Sequence, residues 1–238
     1  STAPVTDLES PLEQADLGSI KAMITPDLGS AAMSNAYRSI FAERTGLFRH
    51  HFAQAFDASP DFTDGDNCFE VLRGVNFVAA HRARVRDHRD SLSPNVVDNV
   101  DRGLAYSLAD VAEAHLQQSR IARAWLNLFE DIDVVICPAA SSTPFPHAQW
   151  SVDEIDGKPM ETYMRWLGIT YLPTMALACS IALPCGLDQA GMPFGIQVLG
   201  APGNDKAVIE IAKSLETVLA QHDKTRRPAP NLGDIKNS

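Results

Sequence analysis

The sequence predicts an α/β fold, with helices packed on a sheet, from two features of its second half. Residues 178–183 and 194–199 are short apolar runs bounded by Gly and Pro. They are too short and too often interrupted for buried helices, so they indicate strands covered on both faces. An amphipathic helix is predicted directly after them, from apolar residues at steps of three and four: Val208, Ile211, Ala212, Leu215, Val218 and Leu219. Asn204 or Asp205 can cap that helix through its first free amides.

The first half is predicted to be mainly helical. Residues 1–19 are polar and contain Pro, which indicates an extended lead-in; a short strand over 20–24 and a turn over 25–29 follow. Helical spacing covers 31–56, and a loop over 57–66 precedes a helix over 68–89. Ser93 is the predicted cap of the next helix, with Pro94 in its first turn, where a missing amide hydrogen costs nothing.

The longest helical pattern covers residues 107–130. Ser107 and Asp110 have the spacing of a capping box at its start. The predicted apolar face consists of Leu108, Ala112, Ala122, Leu126 and Phe129. His115 and Ser119 fall on the same face. We interpret them as ordinary packing contacts rather than an acid–base pair, because isolated polar groups on a helix face are usually satisfied locally.

The predicted sheet is completed by a strand over residues 134–137, followed by a Pro-rich loop over 139–150 and a helical segment over 163–174. We therefore predict one α/β domain over 20–222, helix-rich over 31–130 and with the sheet and pocket over 131–222. Residues 223–238 are predicted to be a polar tail.

Composition and charge narrow the function classes. The net charge of −10 disfavours binding to nucleic acid or to anionic membranes. The basic cluster over residues 81–89 is interpreted as a solvated helix face rather than a phosphate site. The first residues have no basic start and no apolar core, and the four widely spaced cysteines indicate buried free thiols, so we expect a cytoplasmic protein. Because the sequence does not begin with Met, we expect a processed or partial chain.

A pattern near the carboxyl end resembles the amidase signature family. The matching residues are Pro184, Gly186, Gly191, Pro193, Gly195, Gln197, Asp205 and Glu216. The stretches FEDIDVVICPAASSTP and KAMITPDLG also look like segments of that family, so the resemblance covers roughly residues 17–220. It implies a mixed sheet flanked by helices, as in the carboxy-terminal half of the family fold.

The resemblance implies amide hydrolysis, but the catalytic unit of the family is missing from this sequence. That unit combines a nucleophilic serine, a second serine with an unusual cis peptide and a lysine base, beside a Gly/Ser-rich loop that binds the oxyanion. No segment matches it, so no catalytic residue is assigned, and no motif points to a metal or a cofactor. The chain also has Thr174, Leu177 and Cys179 where the family commonly has Asn, Gly and Pro, which puts the usual contacts of that segment in question.

The sequence therefore predicts the carboxy-terminal portion of an amidase signature hydrolase, inactive alone, with a small-molecule amide as the substrate of the intact enzyme. Ser141, Ser142, Thr143 and Pro144 are the candidate pocket residues, because loops beyond strand ends in α/β sheets commonly hold ligands. An ordinary Pro-rich turn is the alternative interpretation of this loop. A noncatalytic ligand-binding module or accessory subunit is the alternative function, and the predicted partners are a second copy or a missing amino-terminal half.

Overall fold

A five-stranded sheet lies at the centre of the structure, a computed structural model that describes residues 10–229. The strands are β1 (Lys21–Ile24), β2 (Gln54–Asp57), β3 (Val134–Pro138), β4 (Glu154–Ile155), β5 (Lys158–Pro159), β6 (Cys179–Leu187) and β7 (Pro193–Gly200). The order in the sheet is β2-β1-β3-β7-β6, and β4 and β5 form a separate hairpin.

The sheet is mixed. β1 pairs in parallel with β2 and with β3, through Lys21↔Gln54 and Ala22↔Val134. β7 runs antiparallel to both of its neighbours, β3 and β6. The carboxyl ends of β1, β2 and β3 therefore lie at one edge of the sheet. This confirms the predicted α/β class and mixed sheet.

The helices are α1 (Asn35–Phe48), α2 (Gly65–His88), α3 (Pro94–Ala105), α4 (Leu108–Leu128), α5 (Gly168–Met175) and α6 (Asp205–Leu219). α2 packs against α3, α4 and α5, whereas α6 packs against β6 and β7. The side chains of β3 from Val134 to Cys137 have no solvent exposure, which places this strand in the middle of the core. The predicted strand over 134–137 is thus confirmed.

Two predictions for the strands near the carboxyl end need correction. β6 continues through Pro184 to Leu187 rather than stopping at the proline. It is an edge strand, where a residue without an amide hydrogen is tolerated, and its pairing with β7 is irregular between Pro184 and Leu187. Ser180 and Ala182 are exposed, so the prediction that both faces are covered holds for β7 but is wrong for β6.

The helix predicted over 31–56 is shorter than expected. α1 ends at Phe48, a 3-10 turn over Arg49–His51 follows, and residues 54–57 form β2. β2 is held by hydrogen bonds to β1, a strand that lies far from it in the sequence. Local helical spacing therefore gives no signal for this strand.

The face predicted for α4 is also wrong. Leu108 is 85% exposed and Leu126 is 50% exposed, whereas Ala114, Ile121 and Trp125 are buried. The helix turns this second set towards the core. Packing by partner elements, rather than apolar content alone, therefore determines which side of α4 is covered.

The structure confirms one of the predicted helix caps and shows no side-chain capping bond at two others. Ser107 and Asp110 form the expected capping box at the start of α4. Pro94 occupies the first turn of α3 as predicted, but the Ser93 side chain makes no capping hydrogen bond. Asn204 stands at the cap position of α6 and likewise makes no side-chain capping bond.

The chain ends are described only in part. Residues 1–9 of the predicted lead-in and 230–238 of the predicted tail lie outside the described residues. Within the described part, Leu17–Ser19 is a 3-10 turn. Thr225 is fully buried, and its hydroxyl donates to the Leu219 carbonyl over 2.7 Å. The chain just after α6 is therefore packed on the domain.

Candidate functional site

Loops that leave β1, β2 and β3 meet at the carboxyl edge of the sheet. The Thr25 amide donates to the Ile136 carbonyl over 3.0 Å, which ties the first loop to β3. The Thr25 and Ser59 hydroxyl oxygens lie 3.1 Å apart, which joins the loops after β1 and β2. Because these bonds hold loops from distant parts of the sequence together, the edge is a preorganised surface at a position where α/β folds commonly bind ligands.

The predicted pocket loop lies at this edge, directly after β3. Ser141 is 1% exposed, and its backbone carbonyl accepts a hydrogen bond of 2.9 Å from the Ser34 amide at the start of α1. The Ser141 hydroxyl has no hydrogen-bond partner within residues 10–229. Ser142 is half-buried, and Thr143 and Pro144 are exposed. The loop thus runs from a buried, unpaired hydroxyl out to the solvent.

A cavity of about 470 Å³ lies at the start of α1. Its walls come from the loop after β1, from the first turns of α1, from the β4–β5 hairpin and from Arg165. The predicted residues 141–144 do not line this cavity. The sequence does not predict this cavity because its walls come from three parts of the chain that are far apart: residues 27–38, Asp66 and residues 155–165.

Opposite charges pair around that cavity. Arg38 lies 2.5 Å from the Asp27 carboxylate, and Arg165 lies 2.6 Å from the Asp66 carboxylate. The Asp156 carboxylate accepts from the Asn35 amide over 2.6 Å, at the positive end of α1. The cavity therefore offers a polar, charge-balanced surface rather than an apolar one.

Arg165 also joins the cavity to the helical layer. Its guanidinium lies 3.0 Å from the Glu70 carboxylate on α2. The Tyr171 hydroxyl donates to Asp66, and burial together with this carboxylate raises the pKa of Tyr171 above its ordinary value. The spacing of Asp66 and Glu70, four residues apart on one helix, was the sequence signal that could have revealed this cluster.

The cysteines of the described region cannot serve as ready nucleophiles. All four are free and buried, as predicted. Burial raises the pKa of Cys68 to about 11 and that of Cys185 to about 12, so both remain protonated at neutral pH. Within residues 10–229, no group of three or more His, Cys, Asp or Glu side chains is arranged to hold a metal ion. In the same range, no helix combines the length and apolar character needed to cross a bilayer.

Comparison with known proteins identifies the family. The sequence profile described as Amidase matches residues 83–209, more than half of the chain. The chain belongs to the amidase signature family. This confirms the resemblance found in the sequence motifs.

Two curated relatives of this amidase signature chain show what share of a full-length family member the chain covers. The acylamidase of Rhodococcus erythropolis is 22% identical over 224 residues, which are 92% of this chain and 46% of the relative. The 2-amino-5-chloromuconic acid deaminase of Comamonas testosteroni is 26% identical over 165 residues, which are 66% of this chain and 34% of the relative.

Solved structures agree on the fold. A bacterial aryl acylamidase of the amidase signature family superposes with a TM-score of 0.75 at 16% identity, covering 85% of this chain and 44% of that chain. The amidase signature chain thus spans about half the length, or less, of the relatives it matches.

The departures from the amidase signature pattern have visible structural results. Leu177 stands where the family commonly has Gly, and it keeps a left-handed backbone with a φ of 55°. Its side chain is 70% exposed. The Thr174 hydroxyl donates to the Tyr171 carbonyl over 2.6 Å, and the Cys179 thiol contacts the Ala201 carbonyl at 3.1 Å. The segment therefore retains a backbone suited to Gly and fills the other two positions with locally bonded side chains.

The family glutamine, Gln197, has a structural position. It is 8% exposed, and its side-chain amide donates to the Pro138 carbonyl over 3.0 Å and to the Ile169 carbonyl over 3.2 Å. These bonds tie α5 to the end of β3, directly before the Ser141 loop. Gln197 thereby helps to hold the carboxyl edge in place.

Proposed function

We propose that this chain supplies the part of an amide hydrolase that completes the sheet and shapes the substrate pocket, while the nucleophile lies outside it. Membership of the amidase signature family and coverage of about half of its relatives support this division. The absence from the sequence of a Gly/Ser-rich loop with a lysine base supports it further. The intact enzyme would cleave the C–N bond of a carboxylic amide.

The single observation that carries the pocket assignment is the buried, unpaired hydroxyl of Ser141 at the carboxyl edge. A buried hydroxyl without a partner is costly, and a substrate amide offers both an acceptor oxygen and a donor N–H to satisfy it. Ser142, Thr143 and Pro144 extend the same loop towards solvent, where they can contact the substrate's variable part. We assign the loop a role in binding and orientation, with no part in bond cleavage.

The first experiment tests whether the nucleophile is absent. The isolated chain is assayed with a chromogenic anilide and treated with a fluorophosphonate that labels activated serines. We expect neither turnover nor labelling, because no hydroxyl in the chain has the family's lysine base beside it in sequence. Turnover that the fluorophosphonate abolishes would show that the chain carries its own catalytic serine.

The second experiment supplies the missing part. The gene is sequenced upstream of the Ser1 codon, and any in-frame Gly/Ser-rich segment with a preceding lysine is expressed together with this chain. We expect amide hydrolysis by the longer protein, with Ser141→Ala raising KM more than it lowers kcat. An unchanged KM for Ser141→Ala and Thr143→Ala would remove the loop from the pocket.

A noncatalytic ligand-binding module or accessory subunit is the second candidate, and the Leu177 backbone favours it. A left-handed Leu where the family commonly has Gly departs from the pattern of that segment and puts its usual substrate contacts in question. Size-exclusion chromatography separates the two candidates. An incomplete enzyme exposes the face on which its other half docks and should associate as concentration rises, whereas a self-standing module should elute as one defined species.

A further inference from the structure

A second pocket, about 720 Å³ in volume, lies away from the carboxyl-edge cavity. It is formed by Arg44 on α1, by Gly186 and Leu187 at the end of β6, and by residues 223–229 after α6. Of these positions only Gly186 belongs to the family pattern, and the proposed amide hydrolysis makes no use of the pocket.

The pocket is cationic in an otherwise acidic chain. Arg44, Lys224, Arg226 and Arg227 all line it, and Asp223 is the carboxylate among the lining residues. Glu43, beside the pocket, pairs with both Lys224 and Arg44, so four cations face two carboxylates. Asp223 is already engaged by Arg226 at 3.2 Å, and Arg227 has no ion pair within the described residues. In a chain with a net charge of −10, such a concentration of positive charge needs a separate explanation.

Arg44 gives the strongest sign of an absent ligand. Its side chain is only 8% exposed, and its Nη2 donates to the Leu187 carbonyl over 2.9 Å. Nη1 lies 3.0 Å from the Glu43 carboxylate but makes no well-aligned hydrogen bond, and Nε has no acceptor among residues 10–229. A guanidinium this deeply buried normally has its N–H groups satisfied, so the unused donors indicate room for an acceptor.

The opposite wall of the pocket is held firmly. Gly186 has a φ of 83°, and a Cβ at this position would lie 1.9 Å from the Lys224 carbonyl oxygen. The Thr225 hydroxyl anchors the same turn to the Leu219 carbonyl. Lys224 and Arg226 therefore belong to a packed turn, and Lys224 shares the carboxylate of Glu43 with Arg44.

We propose that this pocket, lined by Arg44, Lys224, Arg226 and Arg227, binds an oxyanion, the carboxylate or phosphate group of a small ligand. Guanidinium groups match the oxygen geometry of either anion through paired hydrogen bonds. The site is independent of amide hydrolysis, so its test does not depend on the proposed function.

The test measures binding to the full chain by isothermal titration calorimetry, with inorganic phosphate in one arm and succinate in the other. Sodium chloride keeps the ionic strength constant. We expect saturable binding in at least one arm, and the stronger arm identifies the anion. The double variant Arg226→Ala/Arg227→Ala should lose affinity by about tenfold or more, as expected for charge-assisted hydrogen bonds.

The matched control is the double variant Arg82→Ala/Arg84→Ala, which removes the same charge from the exposed face of α2. It should keep affinity within about twofold, because those side chains lie outside the pocket. Arg44→Lys, which retains the charge but not the fork of donors, should weaken binding while the far-ultraviolet circular dichroism spectrum stays unchanged. Absence of saturable binding in both arms, or equal losses in the two double variants, would overturn the proposal.

Discussion

Single residues show where this chain accepts local strain. Leu28 and Leu177 both have a left-handed backbone, with φ of 54° and 55°. Leu28 is fully buried and gains core contacts in return, whereas Leu177 is 70% exposed and gains little. The same backbone conformation is thus supported by packing at one position and left uncompensated at the other.

This difference predicts opposite effects of one substitution. Leu177→Gly should raise the free energy of unfolding by about 0.5–1 kcal/mol, because a left-handed conformation is unfavourable for Leu and open to Gly. Leu28→Gly should lower it by about 3 kcal/mol, because a buried side chain is lost. Urea denaturation of both variants provides the measurement, and a destabilised Leu177→Gly would contradict the strain argument.

At the scale of elements, the helix caps were partly predictable from sequence. Ser107 with Asp110 has a reciprocal motif whose members confirm each other, and the box forms. Ser93 has no such partner residue, and its side chain makes no cap bond. Motifs with two interacting members are therefore better guides than a single favourable residue.

The two serines form a matched pair for measurement. Ser107→Ala should lower the free energy of unfolding by about 1 kcal/mol, because α4 loses its side-chain cap. Ser93→Ala removes the same hydroxyl from the start of α3 without breaking a cap bond and should change stability by only a few tenths of a kcal/mol. Equal losses in the two variants would show that the Ser107 bond contributes nothing.

Gly186 near the end of β6 and Gly191 in the turn after it give a second matched pair. Gly186 and Gly191 have φ of 83° and 79°, but a Cβ would strike the Lys224 carbonyl only at Gly186, since Gly191 faces open space. Gly191→Ala should lower the free energy of unfolding by about 1 kcal/mol, because only backbone strain is added. Gly186→Ala should lower the free energy of unfolding by more than about 2 kcal/mol, because the turn at residues 223–226 must move. The same movement should weaken anion binding. Denaturation and calorimetry on the same two proteins would test both statements.

What the sequence could not reveal has a common physical cause. The sequence does not predict β2 and predicts the wrong buried side of α4, because both depend on partners distant in the chain: β1 for β2, and α2 for α4. The sequence predicts Ser141 as a pocket candidate because it follows a strand, and the structure places it at the carboxyl edge of the sheet. The sequence does not predict the cavity, because residues 27–38 form only one wall and the others come from Asp66 and from residues 155–165.

At the scale of the whole molecule, buried thiols link stability to pH. Burial raises the pKa of Cys68 from 9.0 to about 11, so the folded state favours the protonated thiol. The resulting stabilisation is fully present below pH 9.0 and is lost as the pH rises to about 11.

This effect can be isolated by comparing the wild type with Cys68→Ala. The stability difference between the two proteins should be constant below pH 9.0 and should shrink between pH 9.0 and about 11. Urea denaturation across this range measures it, and the comparison cancels the titration of the other groups. A difference that stays constant throughout would mean that Cys68 ionises equally in both states.

The position of β3 between β1 and β7 has a consequence for biosynthesis. The Lys21 amide at the start of β1 bonds the Asp133 carboxylate beside β3, a contact 112 residues apart in sequence. While a ribosome extends the chain, α2, α3 and α4 can associate early through local contacts, but one side of β1 stays unpaired until Val134–Pro138 emerges. Unpaired strand edges recruit other chains, so nascent molecules should be most prone to misassociation, and most dependent on chaperones, during this interval.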